Sequence, residues 1–189
     1  AWDVYETDLV KAQGLLTAAG YPDGFEADLF YDSARQEWED IALYLKAGLS
    51  EIGVELTLNP LPATEFGSQR TARARGEEGA LPGLMFISGT IWLDDADPNV
   101  GLWVVGGGWS NVSHYANPVV DALHFDNRFN PDLEARAAAY REVQEITASD
   151  VPLLPLVIRG YPGAVHPDIT GVAFTSDPHL RACLLRFAG

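Results

Sequence analysis

The chain has 189 residues, 47% of them hydrophobic and 21% charged. That fits one globular domain or one lobe of a larger protein, and it excludes collagen-like and wholly disordered classes. Twelve basic residues against 27 acidic ones leave a net charge of −15, which argues against nucleic acid as a partner because phosphate neutralisation needs a basic face. The one dense basic stretch, Arg70, Arg73 and Arg75, runs into Glu77 and Glu78 and reads as the solvated face of a helix.

Taken in chain order, residues 6–19 place Leu9, Ala12, Leu15, Leu16 and Ala19 on one stripe at helical spacing, and Gly20 is suited to end the helix. Tyr21-Pro22-Asp23-Gly24 is a turn. Phe25, Ala27, Leu29 and Tyr31 alternate at strand period. Residues 35–52 form the clearest helix, with Trp38, Ile41, Ala42, Leu45, Leu49 and Ile52 on one face and Gly53 as its stop. Val54, Leu56 and Leu58 mark a second strand, residues 63–75 a weaker helix, and Leu84-Met85-Phe86-Ile87 a short strand expected to be buried on both faces. Strands alternating with helices imply crossover units, hence an α/β fold whose sheet is mixed but mostly parallel, with helices on both faces.

The stretch from Ser88 to Tyr115 reads as a long loop rich in glycine, tryptophan and acid: Gly101 and Gly106 to Gly108, Trp92, Trp103 and Trp109, Asp94, Asp95 and Asp97. Asn117-Pro118 looks like an N-cap followed by proline in the first turn, opening a helix over 118–126; Asn130-Pro131 repeats the device and opens a longer one to about Ser149. Pro152 to Ile158 reads as a strand or extended segment, and Gly171 to Phe174 and Cys183 to Phe187 as late strands.

Little in the sequence suggests catalysis. The single cysteine, Cys183, lies in an apolar run where a thiol is inert, and no GxSxG elbow is present. His114, His124, His166 and His179 are scattered; His166-Pro167-Asp168 could point two ligands at one ion, but a surface histidine in a Pro–Asp loop is the commoner outcome, so no metal is expected. Gly106-Gly107-Gly108 lacks the Lys-Ser/Thr of a phosphate loop, so no cofactor is expected either. Adjacent acids such as Asp94/Asp95 could serve a hydrolase, though in so acidic a chain such pairs arise by chance. The aromatic and acidic loop is better suited to holding a ligand ammonium, by a charge-assisted hydrogen bond and cation–π contact. The bland alternative is that Trp103 and Trp109 only pin the loop. No apolar run is long enough for a membrane span, and Ala1-Trp2-Asp3-Val4 has neither the basic region nor the apolar core of a signal peptide, so the chain is expected to be a processed or excised piece of a longer one.

Several segments resemble a known family. Tyr5-Glu6-Thr7-Asp8, followed by Ala19-Gly20-Tyr21-Pro22-Asp23-Gly24-Phe25, looks like the opening of the second lobe of family 5 solute-binding proteins, the oligopeptide, dipeptide and nickel binders. Ile41 to Leu61, Tyr115 to Leu123 (the family's "YSNPEVDALL"), Ala135 to Ile146 and Ser149 to Leu156 match further segments in the right order. The resemblance implies a periplasmic-binding-protein-like lobe over 1–189, the first lobe being absent from this chain. It also implies an exported protein, often lipid-anchored, at the periplasmic or extracellular face of the membrane, which delivers a peptide or related solute to an ABC permease. Aligned on Pro98, Asp94 falls on the acid that pairs with the peptide amine in oligopeptide binders; the tryptophan is displaced by one place to Trp92, and Asp95 replaces a tyrosine. Asn111, His114 and Tyr115 match a segment near the cleft, and Trp92 and Trp109 would wall the pocket. The family also includes binders of oligosaccharides and metal chelates, and a sensor or interaction module on the same fold is a further alternative.

Overall fold

A computed structural model describes residues 6–88, 95–157, 164–172 and 184–187. The chain divides into two compact units, Ala1–Ser88 and Gly89–Gly189.

In the first unit, helix α1 (Leu9–Ala18) is capped at its start by Asp8, whose carboxylate accepts from the Lys11 N–H. It ends in a Schellman motif: Gly20, at φ +93°, donates to the Thr17 carbonyl, and Tyr21 donates to that of Leu16. Strand β1 (Phe25–Asp32) pairs in parallel with β2 (Val54–Leu61) across the crossover helix α2 (Gln36–Ser50). Helix α3 (Ala63–Ala74) leads to β3 (Leu84–Met85), which pairs in parallel with the other edge of β1, giving the order β2-β1-β3. Leu29 and Tyr31 of β1, Val54 and Leu56 of β2, Trp38 and Ala42 of α2, Phe66 of α3 and Phe86 form one buried cluster, onto which Ala12 and Leu16 of α1 pack. The aromatic rings of Trp38, Phe66 and Phe86 meet edge to face, at centroid distances of 5.5 and 5.8 Å.

Two expectations need correcting here. The strand at Leu84 is not buried on both faces: it has two residues, pairs among the described residues with β1 alone, and Leu84 is 49% exposed. Arg73 is not merely solvated, since its guanidinium donates to the Gly83 carbonyl and burial lowers its pKa. At the turn before β1, Gly24 and Gly53 approach so closely that a Cβ on Gly24 would lie 1.9 Å from the Gly53 carbonyl oxygen, so glycine there serves packing as well as turn geometry.

In the second unit, the stretch expected to be irregular contains a helix, α4 (Ala96–Trp103), capped by Asp95. Helix α5 (Pro118–Asn127) has the expected cap: the Asn117 side chain accepts from the Val119 and Val120 N–H groups, with proline in the first turn. Helix α6 (Leu133–Asp150) begins later than expected. Its cap is Asp132, and Asn130 instead accepts from the Asp132 N–H. Helices α5 and α6 pack together, burying Val120 and His124 against Ala139, Tyr140, Val143 and Ala148. Residues 151–157 form no strand, and Leu154 and Val157 are exposed; Ile158 lies outside the described residues. The late strands fall differently from expectation: β4 (Ile169–Thr170) lies before the expected Gly171–Phe174 and pairs antiparallel with β5 (Arg186–Phe187), which occupies only the end of the expected Cys183–Phe187; residues 173–183 lie outside the described residues.

Candidate functional site

Four of the candidate residues, Trp109, Asn111, His114 and Tyr115, lie on the segment between α4 and α5. Asn111 is its hub. It is 3% exposed, and its amide nitrogen donates to the carbonyls of Val105 (3.0 Å) and Tyr115 (2.8 Å). Its side-chain oxygen accepts from the Ser113 hydroxyl (2.9 Å) and the Tyr115 N–H (3.2 Å). One buried amide therefore closes the segment onto itself from both sides, and no hydrogen-bonding capacity of that amide remains for a ligand. Gly106 is tied to α5, its N–H donating to Asp121 at 2.9 Å.

Tyr115 is also committed. Its hydroxyl donates to Asp150, the last residue of α6, at 2.5 Å, and the Asn117 amide donates to the same carboxylate oxygen at 3.1 Å. Burial, reinforced by the Asp150 hydrogen bond, pushes the Tyr115 pKa up to about 12, while the Tyr115 and Asn117 hydrogen bonds hold Asp150 below the usual carboxylate range.

Trp109 and His114 differ from these two. Trp109 is 59% exposed, so it does not pin the loop to the fold and presents an aromatic face to solvent from a braced segment. His114 is exposed and takes φ +53°, a left-handed conformation that turns the chain between the Asn111 hub and Tyr115. Trp92 and Asp94 lie outside the described residues. Of the predicted set, the structure thus brings Trp109, Asn111, His114 and Tyr115 onto one loop, two facing outward and two spent within the fold.

Helix α4 is held at its start by an ion pair that sequence reasoning did not foresee. Arg136 of α6 meets the Asp95 carboxylate at 2.6 Å, which with the Asp97 N–H lowers the Asp95 pKa. Behind it, Asp97 lies 3.1 Å from Arg128 and 3.5 Å from the buried His124, whose other ring nitrogen is 3.4 Å from the Tyr140 hydroxyl. The Asp97–Arg128 contact is ionic without hydrogen-bond alignment. Burial lowers the His124 pKa, opposed by Asp97. Gly101 makes room for that ring, since a Cβ there would lie 3.1 Å from Nε2. Sequence could have flagged this cluster only as acids in a loop and a histidine on the helix that follows. A groove of about 350 Å³, lined by Ala96, Leu133, Arg136, Tyr140, Arg141 and others, runs along α6 and includes none of the predicted ligand residues. His166 and Asp168 are 3.4 Å apart and well exposed, and among the described residues no cluster of His, Cys, Asp or Glu is arranged to hold a metal ion. No helix among them is long and apolar enough to cross a membrane.

A parallel α/β unit followed by this helical unit is the fold of periplasmic binding proteins. DppA from Helicobacter pylori, solved in complex with peptide STSA, superposes with a TM-score of 0.72 at 27% identity, over 98% of this chain and 35% of that one. Clavulanic acid biosynthesis oligopeptide binding protein 2 superposes with a TM-score of 0.73 at 25% identity, over 97% and 34%. The sequence profile of the bacterial extracellular solute-binding proteins, family 5 Middle, matches residues 1–111, and the chain belongs to that family. Its members are solute-binding proteins of ABC transporters, not enzymes. The glutathione-binding protein GsiB of Salmonella typhimurium is 25% identical over 175 residues, 90% of this chain and 34% of the relative. The chain thus spans about a third of the length of the relatives it matches.

Proposed function

We propose that both units belong to the second lobe of the substrate-binding component of an ABC importer, and that the parent protein captures a peptide or peptide-like solute with a free ammonium group. The observation that carries this reading is Trp109: a large aromatic ring, more than half exposed, on a loop whose own hydrogen bonds hold it rigid. Exposing such a ring costs apolar surface, which a ligand would cover. Asp94 supplies the carboxylate for the ammonium, Trp92 and Trp109 wall the solute, and His114 offers a polar contact; Asn111 and Tyr115 shape the loop from within. The peptide held by DppA and the glutathione named for GsiB share an α-ammonium and amide groups, which supports this ligand class. The parent would work outside the cytoplasmic membrane and hand its solute to a permease, consistent with the family's extracellular description.

The test is titration calorimetry of the full-length parent with glutathione and short peptides, each with and without an N-acetyl block. Asp94→Asn should weaken binding of the free-amine ligands by about 1.5–3 kcal/mol, the worth of a hydrogen bond to a charged group. It should leave the acetylated ones little changed. Equal affinity of wild type and variant for a free-amine ligand refutes the role of Asp94.

A further inference from the structure

We propose that Asp150 is a positioning residue for the ligand loop: through Tyr115 and Asn117 it anchors the segment that presents Trp109 and His114. The inference rests on the reading above and adds to it a residue that touches no solute. Its basis is geometric. Two donors from the loop, the Tyr115 hydroxyl at 2.5 Å and the Asn117 amide at 3.1 Å, converge on one oxygen of Asp150 across 35 and 33 residues of sequence. Asn117 does double duty, because its side-chain oxygen also caps α5, so one residue couples the loop's end, the start of α5 and the end of α6.

The local sequence around this contact runs against what an isolated helix would choose. Asp150 closes α6, where the helix dipole disfavours a negative charge, and no basic residue occupies that last turn. Val151 follows at φ +48° and ψ +50°, a left-handed conformation usually left to glycine and costly for a β-branched side chain. His114, immediately before Tyr115, is the other non-glycine residue with positive φ among those described. The two strained positions flank the two partners of one hydrogen bond. Local rules broken in pairs at a single contact indicate that the tertiary contact sets the local structure, not the reverse.

The experiment uses the full-length parent, with glutathione and the tetrapeptide STSA as probes, and measures affinity and melting temperature together. Trp109→Ala tests the underlying reading: if it leaves the affinity for a bound probe unchanged, or if wild type binds neither probe, the ligand site itself is wrong. Given an effect of Trp109→Ala, Asp150→Ala and Tyr115→Phe should each weaken binding about tenfold, with a melting temperature within about 2 °C of wild type, as befits an exposed contact. Asp150→Glu should recover most of the affinity. Because Asp150 acts through the loop that carries Trp109, adding Asp150→Ala to Trp109→Ala should weaken binding little further. Wild-type affinity in Asp150→Ala, or a loss that is fully additive with Trp109→Ala and follows a lowered melting temperature, overturns the proposal.

Discussion

Replacing Asn111 with alanine deletes four hydrogen bonds from a residue that is 3% exposed. They are not equal in cost. The Ser113 hydroxyl and the Tyr115 N–H and carbonyl are only partly buried and can turn to water, so each of those losses is small. The carbonyl of Val105, a residue 3% exposed, cannot turn to water but keeps the Gly108 N–H at 2.9 Å, so it loses one of two donors and is not orphaned. No buried acceptor is left without a partner, so the loss is that of the bonds themselves, about 1–3 kcal/mol in all. For a chain of this size that lowers the melting temperature by about 2–12 °C. Asn111→Asp is the sharper probe. It keeps the acceptors for Ser113 and Tyr115 but turns an oxygen toward two carbonyls that had received N–H donors. The new carboxyl must then take up a proton to fit, so its folded-state pKa rises above the unfolded value. The stability it contributes is present at acid pH and lost as pH rises through the folded pKa, so its deficit relative to wild type should shrink on acidification. Urea denaturation followed by circular dichroism at neutral and acid pH measures both effects. If Asn111→Ala is as stable as wild type, or the aspartate deficit does not change with pH, the amide is not the hub of the loop.

Gly24 and Gly20 separate packing from backbone strain: both have positive φ, but a Cβ on Gly20 meets nothing within 4 Å whereas one on Gly24 collides with Gly53. In the same urea assay, Gly20→Ala should cost about 1 kcal/mol and Gly24→Ala about 2–4 kcal/mol; equal losses would remove the close approach as a constraint. His124 is buried with Asp97, Arg128, Asp121 and Tyr140 around it, and its pKa is lowered from 6.5, so its contribution to stability is full above pH 6.5 and is lost as pH falls through the depressed value. His124→Gln should therefore flatten the fall in stability below pH 6.5, whatever its effect at neutral pH; an unchanged acid profile would place that sensitivity elsewhere.

The first unit was legible because its elements are periodic and punctuated. The stripe of α2 and the alternation of β1 and β2 have no competing reading, and Gly20, Gly24 and Gly53 stand where positive φ is needed. What failed there was exposure: a run of four apolar residues looks the same at an edge as in the centre of a sheet, and only the pairing order shows that β3 has one neighbour among the described residues. Helix α4 was missed for a different reason. Pro98 and Gly101 read as loop residues, yet Pro98 falls in the first turn, where its missing N–H would have had no intrahelical partner, and Gly101 is set by the His124 ring against it. The Asp95 cap was in plain view, but the ion pair with Arg136, 41 residues on, that helps hold it in place was not.

The predicted ligand residues separate along the same physical line. A polar side chain in a glycine-rich loop has two possible employers, a ligand and the loop's own carbonyls, and nothing in a single sequence distinguishes them. Burial does. Asn111 and Tyr115 give their polar atoms to the fold, so their side chains are spent; Trp109 and His114 keep theirs in solvent at the expense of exposed aromatic surface and a left-handed backbone. Asp150 lies at the opposite extreme of legibility. From sequence it is one more acid in a chain of net charge −15. Its misfit was nonetheless written there, as an acid closing a helix and followed by valine and proline where a glycine would end the helix without strain. Such a mismatch persists only if something distant holds it, and the two donors on its carboxylate are that holding.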